Sequence, residues 1–183
     1  ILNSAPIYVD ANADTGSVGV SASIAGITGT VATSTATSNA VGIGGGTGND
    51  NITNSGAISA ISAADANTVI VSISGIGISA AADSFWDGGT TATATATGID
   101  GGAENDSIAN NAAIFAKATA DTGSTGVTAT LLGASATLIN STAEARAKAI
   151  EGGEGNDSIT NSGTVVAIAE SYADTVGVSV AGL

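Results

Sequence analysis

Apolar and polar residues alternate with a period of two along much of the chain. The clearest run, TTATATATG (90–98), sets Ala92, Ala94 and Ala96 on one side and Thr93, Thr95 and Thr97 on the other. Successive strand side chains point to opposite faces, so this pattern predicts a β-strand. The run TAEARAKAI (142–150) repeats it, with Ala143, Ala145 and Ala147 in the alanine positions and Glu144, Arg146 and Lys148 in the threonine positions. Unpaired charges do not face a dry core. The alanine column is therefore expected inside and the Thr/Glu/Arg/Lys column outside. Thr33, Thr35 and Thr37, alternating about Ser34 and Ala36, fit the same scheme.

A second strand is predicted after each Asn-rich turn. Its inward residues would be Ile58, Ala60, Ser62 and Ala64, then Ile114, Ala116, Ala118 and Ala120, then Val165, Ala167, Ala169 and Ser171. The outward set includes Lys117 and Glu170 but also Ile61, Phe115, Val166 and Ile168, a partly apolar outer face. A third strand is expected to carry Val69, Val71 and Ile73, matched by Val18, Val20 and Ala22 and by Val127, Ala129 and Leu131. The abundance of Thr, Val, Ile, Ser and Gly argues against helix.

These strands belong to an internal repeat. GIGGGTGNDNITNSGAI (42–58), GIDGGAENDSIANNAAI (98–114) and AIEGGEGNDSITNSGTV (149–165) align, with Asp50, Asp106 and Asp157 at spacings of 56 and 51 residues. ILNSAPI (1–7) fits ITNSGAI (52–58) in the same register. A fixed period of this size is the signature of a repeat array. The expected fold is all-β, a parallel β-solenoid without helix, a right-handed β-helix by the usual crossover rule. Residues 1–183 would form one array, with units at about 1–51, 52–107, 108–158 and a partial 159–183. Whether one unit makes one wide coil or two narrow ones is open. Asp14, Asp65 and Asp121 fall on one column, and Asp174, two residues late, implies a small insertion. No capping segment is evident, so the chain reads as part of a longer array or filament.

Composition narrows the function. The net charge is −13, from 16 acidic residues against Lys117, Arg146 and Lys148. Such a chain repels phosphate backbones and anionic membrane surfaces, so neither nucleic-acid binding nor membrane insertion is expected. It contains no Cys and no His. Disulfides, zinc–thiolate sites and the commonest general base are thereby excluded. No apolar run is long enough for a membrane-spanning helix. There is no leader-like segment and no initial Met, which fits a segment of a larger protein.

One motif carries chemistry. Gly45-Gly46-Thr47-Gly48-Asn49-Asp50-Asn51-Ile52-Thr53 fits GGxGxDxUx, as does Gly152-Gly153-Glu154-Gly155-Asn156-Asp157-Ser158-Ile159-Thr160. The middle copy, with Gly101, Gly102, Asn105 and Asp106, has Glu104 in place of the third glycine. The motif resembles the calcium-binding nonapeptide of RTX repeat proteins. Glycines permit turns that aim carbonyl oxygens at one point, and the carboxylate adds a hard ligand. The resemblance implies Ca2+ at Asp50, Asp106 and Asp157. Gly46, Gly48, Asn49, Gly102, Glu104, Asn105, Gly153, Gly155 and Asn156 would be the turn residues around it. RTX arrays run their nonapeptides in tandem, whereas here each occurs once per unit. A plain Gly-Asn-Asp turn, with the Asp side chain bonding its own backbone, is the alternative. Glu104 is either an added ligand or the mark of a lost site.

The ITNSG segments (52–56 and 159–163) resemble turns of haemagglutinin-like and autotransporter β-helix adhesins, in which Asn stacks as a hydrogen-bonded ladder. Together the resemblances imply a structural or adhesive region of a large secreted or cell-surface bacterial protein, not an enzyme. Its partners would be further repeats, copies of itself, or surface carbohydrate or protein. A subunit of an extracellular fibre or sheath is the near alternative. Ice binding through the Thr columns and a polysaccharide-acting β-helix enzyme are more distant ones. The insertion SFWDGG, with Asp83 and Asp87 flanking Phe85 and Trp86, reads as a loop plug or a carbohydrate contact.

Overall fold

The structure is a computed structural model that describes residues 1–83 and 89–182. The strands in chain order are β1 (Leu2–Asn3), β2 (Ile7–Val31), β3 (Thr35–Gly44), β4 (Asn51–Asn54), β5 (Ile58–Ala82) and β6 (Thr90–Asp100). They continue with β7 (Ser107–Asn110), β8 (Ile114–Leu138), β9 (Ser141–Glu151), β10 (Ser158–Asn161) and β11 (Val165–Ala181). The described residues contain no helix. All pairing is parallel, in three sheets ordered β1-β4-β7-β10, β2-β5-β8-β11 and β3-β6-β9.

This is a parallel β-solenoid in which one repeat unit is one coil. Ile7 pairs with Ile58, Ile58 with Ile114, and Ile114 with Val165, each one unit on. The register answers the question that periodicity left open. The extra five residues of the second unit lie between β5 and β6: β5 still pairs Ala82 with Val31, whereas β6 begins by pairing Thr91 with Thr35.

Each coil has three zones. At one corner Ile43, Ile52, Ile58, Ile99, Ile108 and Ile114 form a buried cluster. Burying an isoleucine contributes about 1.5–3 kcal/mol, so this corner holds most of the large apolar surface. Next, Ala64, Ala66, Ala116, Ala118 and Ala120 of β5 and β8 pack against Ala36, Ala92, Ala94 and Ala96 of β3 and β6. The predicted alanine column is inside, and Glu144, Arg146 and Lys148 face solvent. Lys117 pairs with Glu170 on the outer face at 2.9 Å.

The third zone corrects the sequence reading. There is no separate third strand: β5 runs from Ile58 to Ala82, and its inward–outward alternation holds from Ile58 to Ser74. Thr68, Ile70, Ser72 and Ser74 point inward, and Val69 and Ile73 point outward, 40% and 47% exposed. Val69 pairs with Thr125, not Val127. The chain reverses near Gly26, Gly77 and Gly133, all at positive φ. The returning limb packs on the outgoing one, making an arm whose interior is hydroxyl-lined. Ser17 bonds Thr68 (3.2 Å) and Ser21 bonds Ser72 (3.0 Å) along the stack. Ser72 to Thr28 (3.2 Å) and Thr128 to Thr137 (2.9 Å) close the arm across its width. Asp174 is also corrected: it pairs with Gly123 in unbroken register, so no insertion displaces it.

Candidate functional site: the glycine–aspartate turns

The three turns stack directly, joined by bridges from Thr47 to Ala103 and from Ala103 to Glu154. Their second glycines, Gly46, Gly102 and Gly153, hold φ of 99°, 107° and 100°. The third position does the same with φ of 103° at Gly48 and 129° at Gly155, while Glu104 is forced to 79°. A Cβ is strongly disfavoured there, which is why two of the three copies use glycine.

The polar groups of the turn are spent on the stack. Ala103 N–H donates to Gly46 O and Glu154 N–H to Gly102 O, both at 2.9 Å. Asn49 Oδ1 accepts the N–H of Asn105 (2.9 Å), and Asn105 Oδ1 accepts that of Asn156 (2.7 Å). The aspartates run the other way: Asp106 Oδ1 accepts the N–H of Asp50 (2.8 Å), and Asp157 Oδ1 accepts that of Asp106 (2.9 Å). Two side-chain ladders of opposite sense thus hold each turn to its neighbours. Asp106 is only 3% exposed. Its Oδ2, like that of Asp50, is buried without a hydrogen-bond partner. It lies against Gly101, where an added Cβ would sit 2.6 Å from that oxygen.

Calcium takes six to eight oxygens. In the turns the Gly46 and Gly102 carbonyls and the Oδ1 atoms of Asn49, Asn105, Asp106 and Asp157 hold the stack, and the Oδ2 atoms of Asp50 and Asp106 are buried without a partner. Among the described residues no group of three or more His, Cys, Asp or Glu converges on one point. Asp106 and Asp157 bond the backbone of the adjacent turn rather than their own, so an ion at the turns would share these oxygens with the stack.

A second ladder runs through the ITNSG turns, as their sequence led us to expect. Asn3 donates to Asn54, Asn54 to Asn110 and Asn110 to Asn161, at 2.7, 2.7 and 2.6 Å. Asn54 and Asn110 are fully buried.

Asp14, Asp65 and Asp121 pair in register on the outer face of β2, β5 and β8. Partial burial, then the neighbouring charges of Asp121 and Asp14, raise the Asp65 pKa above the ordinary carboxylate value, against the bond it accepts from Asn67. Asp83 was expected in the insertion, as part of a loop plug or a carbohydrate contact. It is buried, and its carboxylate accepts the N–H of Asn140 at 2.8 Å and the hydroxyl of Ser124 at 3.1 Å. Phe85, Trp86 and Asp87 lie outside the described residues. The Thr array is broken by register: Thr95 pairs with Asn39 and Arg146, and Thr97 with Val41 and Lys148.

A groove of about 410 Å³ lies beside the Ile corner, lined by Pro6, Tyr8, Ala57, Ala113, Phe115 and Val166 among others, with no carboxylate on its wall. Sequence reasoning missed this groove and the hydroxyl interior of the arm. The second was signalled by Thr68, Ser72 and Ser74, and by Thr122, Ser124, Thr128 and Thr130, all on the inward parity of their strands. Compared with protein-family models, with curated proteins and with solved structures, the chain matches none.

Proposed function

We propose that this chain is a structural and adhesive repeat array of a large secreted or cell-surface bacterial protein, and that it catalyses no reaction. The observation that carries the reading is the commitment of its acids. The carboxylates of Asp106, Asp157 and Asp83 accept backbone N–H groups. A carboxylate that must keep such a bond is poorly placed to shuttle protons. A polysaccharide-acting enzyme needs two carboxylates flanking a bound sugar, and the apolar groove supplies neither. Ice binding loses support where Asn39, Val41, Arg146 and Lys148 interrupt the Thr columns.

The fibre or sheath subunit is the second reading, favoured by the parallel, in-register stacking of coil on coil, a mode of pairing that can pass from one chain to another. Open edges template the addition of further strands. These come either from repeats of the same chain or from another copy.

An antibody against the outward face of Ser141–Glu151 tests the proposal by immunogold labelling of the source cells. Label on the cell envelope or on extracellular filaments is expected, and cytosolic label alone would sink it. Calcium is tested separately by thermal unfolding with and without a chelator. The engaged ladders predict an unchanged midpoint, and a lower midpoint in chelator would restore the ion to the proposal.

A further inference from the structure

The arm is built inside out. Its interior is lined by serine and threonine hydroxyls, and its outer face by branched aliphatics. Four columns cross that face from coil to coil. They are Val18–Val69–Thr125–Val176, Val20–Val71–Val127–Val178, Ala22–Ile73–Ala129–Val180 and Ile24–Gly75–Leu131–Gly182. None of these positions is charged in a chain of net charge −13. On the two inner coils Val69 is 40% exposed, Ile73 47% and Leu131 70%. In a water-soluble sheet, polar residues take the outside and apolar residues the inside, so this face is shaped for a partner.

We propose that the partner is a second copy of this chain, packed arm to arm, sheet on sheet. The last column names the occupant. It alternates a large side chain with none, and a hollow of about 370 Å³ opens where Gly75 and Gly182 leave room beside Ile73, Leu131 and Val180. Knobs and holes therefore recur along the stack at the spacing of the coils themselves. A two-fold axis along the strand direction reverses the stacking order and sets the first coil of one copy against the fourth of the other. Ile24 then meets Gly182, and Leu131 meets Gly75, knob into hole throughout. A fluid lipid surface has no such periodicity.

The area suffices. Four columns, each two residues or about 6.6 Å wide, by four strands at about 4.8 Å give roughly 500 Å² per copy. The total of about 1,000 Å² reaches the lower limit of specific interfaces. Each further coil adds in proportion, so longer arrays bind more tightly. The Asp14–Asp65–Asp121 column lies at the rim, where it faces its equivalent and limits the contact to the arm. The pairing is lateral and independent of whether the array serves as an adhesin.

Sedimentation velocity of the whole chain between about 1 and 200 µM tests this. A species of twice the chain's mass is expected at the upper end, favoured by added salt, which screens the facing acids. Val71→Asp is expected to abolish it, and Leu131→Ala to weaken it about tenfold, both with an unchanged β circular-dichroism spectrum. Val166→Asp, in the other apolar groove, is expected to leave it intact. If Val71→Asp fails to fold, Leu131→Ala carries the comparison. A chain monomeric at 200 µM, or a dimer lost only in Val166→Asp, overturns the proposal. So does a monomer that floats with phosphatidylcholine vesicles, which would give the face to lipid.

Discussion

Glu104 occupies a backbone conformation that its counterparts Gly48 and Gly155 adopt without a Cβ penalty. Its φ of 79° is the one positive value outside glycine among the described residues. An L-residue in that region costs about 1–2 kcal/mol, and glycine costs about 0.5–1 kcal/mol in unfolded-state entropy. Glu104→Gly is therefore expected to stabilise the fold by up to about 1 kcal/mol. In urea it should raise the midpoint at constant slope. A lower midpoint would mean that the Glu104 side chain makes a contact worth more than the strain. The residue was conspicuous in the sequence as the missing glycine, but added ligand and lost site were equally open there. The backbone angle decides against neither chemistry; it identifies the physical cost. The asparagines differ. Asn54 and Asn110 were legible as a ladder because Asn both donates and accepts, and identical residues one coil apart can satisfy each other indefinitely.

At the scale of the strand, in-register stacking turns every residue into a column, and a column of like charges repels. Asp65 lies between Asp14 and Asp121 on adjacent strands. Its pKa is raised by burial first and by these neighbours next. A carboxyl whose folded pKa lies above its unfolded value holds its proton more firmly in the native state. Its stabilising contribution is present below the unfolded pKa, near 4, and is lost as pH rises through the folded pKa. Asp65→Asn is thus expected to raise the unfolding temperature at pH 7, with the gain vanishing by about pH 3 and shrinking in high salt. An equal gain at both pH values would show that the charge is not the cause. The same element explains the misread third strand. Val69, Val71 and Ile73 look like core residues by type, yet the parity set by Ile58 and Ala60 runs through to Ser74 and puts them outside.

For the whole molecule, the equivalence of unit and coil makes the array divisible. Each coil contacts only its neighbours, as in other repeat proteins. Deleting residues 108–158 joins Ser107 to Ile159, so Ile159 takes the place of Ile108, its register partner in the adjacent strand. The shortened chain is expected to keep its β spectrum and unfold at a lower temperature. A deletion of roughly half a unit should abolish folding, because it throws inward columns outside. If both deletions fold equally well, the unit is not the coil.

The alternation of Ala with Thr or charge, and the recurrence of NDxIxN, determined by themselves that the chain forms stacked parallel strands with alanine inside. Both are local patterns: side-chain parity along one strand, and self-match from one unit to the next. Only the tertiary structure decided how the strand bends back at Gly26, Gly77 and Gly133, and with it that the arm hides hydroxyls and shows valines. A hydroxyl is a sound interior group only when a second one faces it, and which residues face each other across a fold is not written in the spacing of either strand.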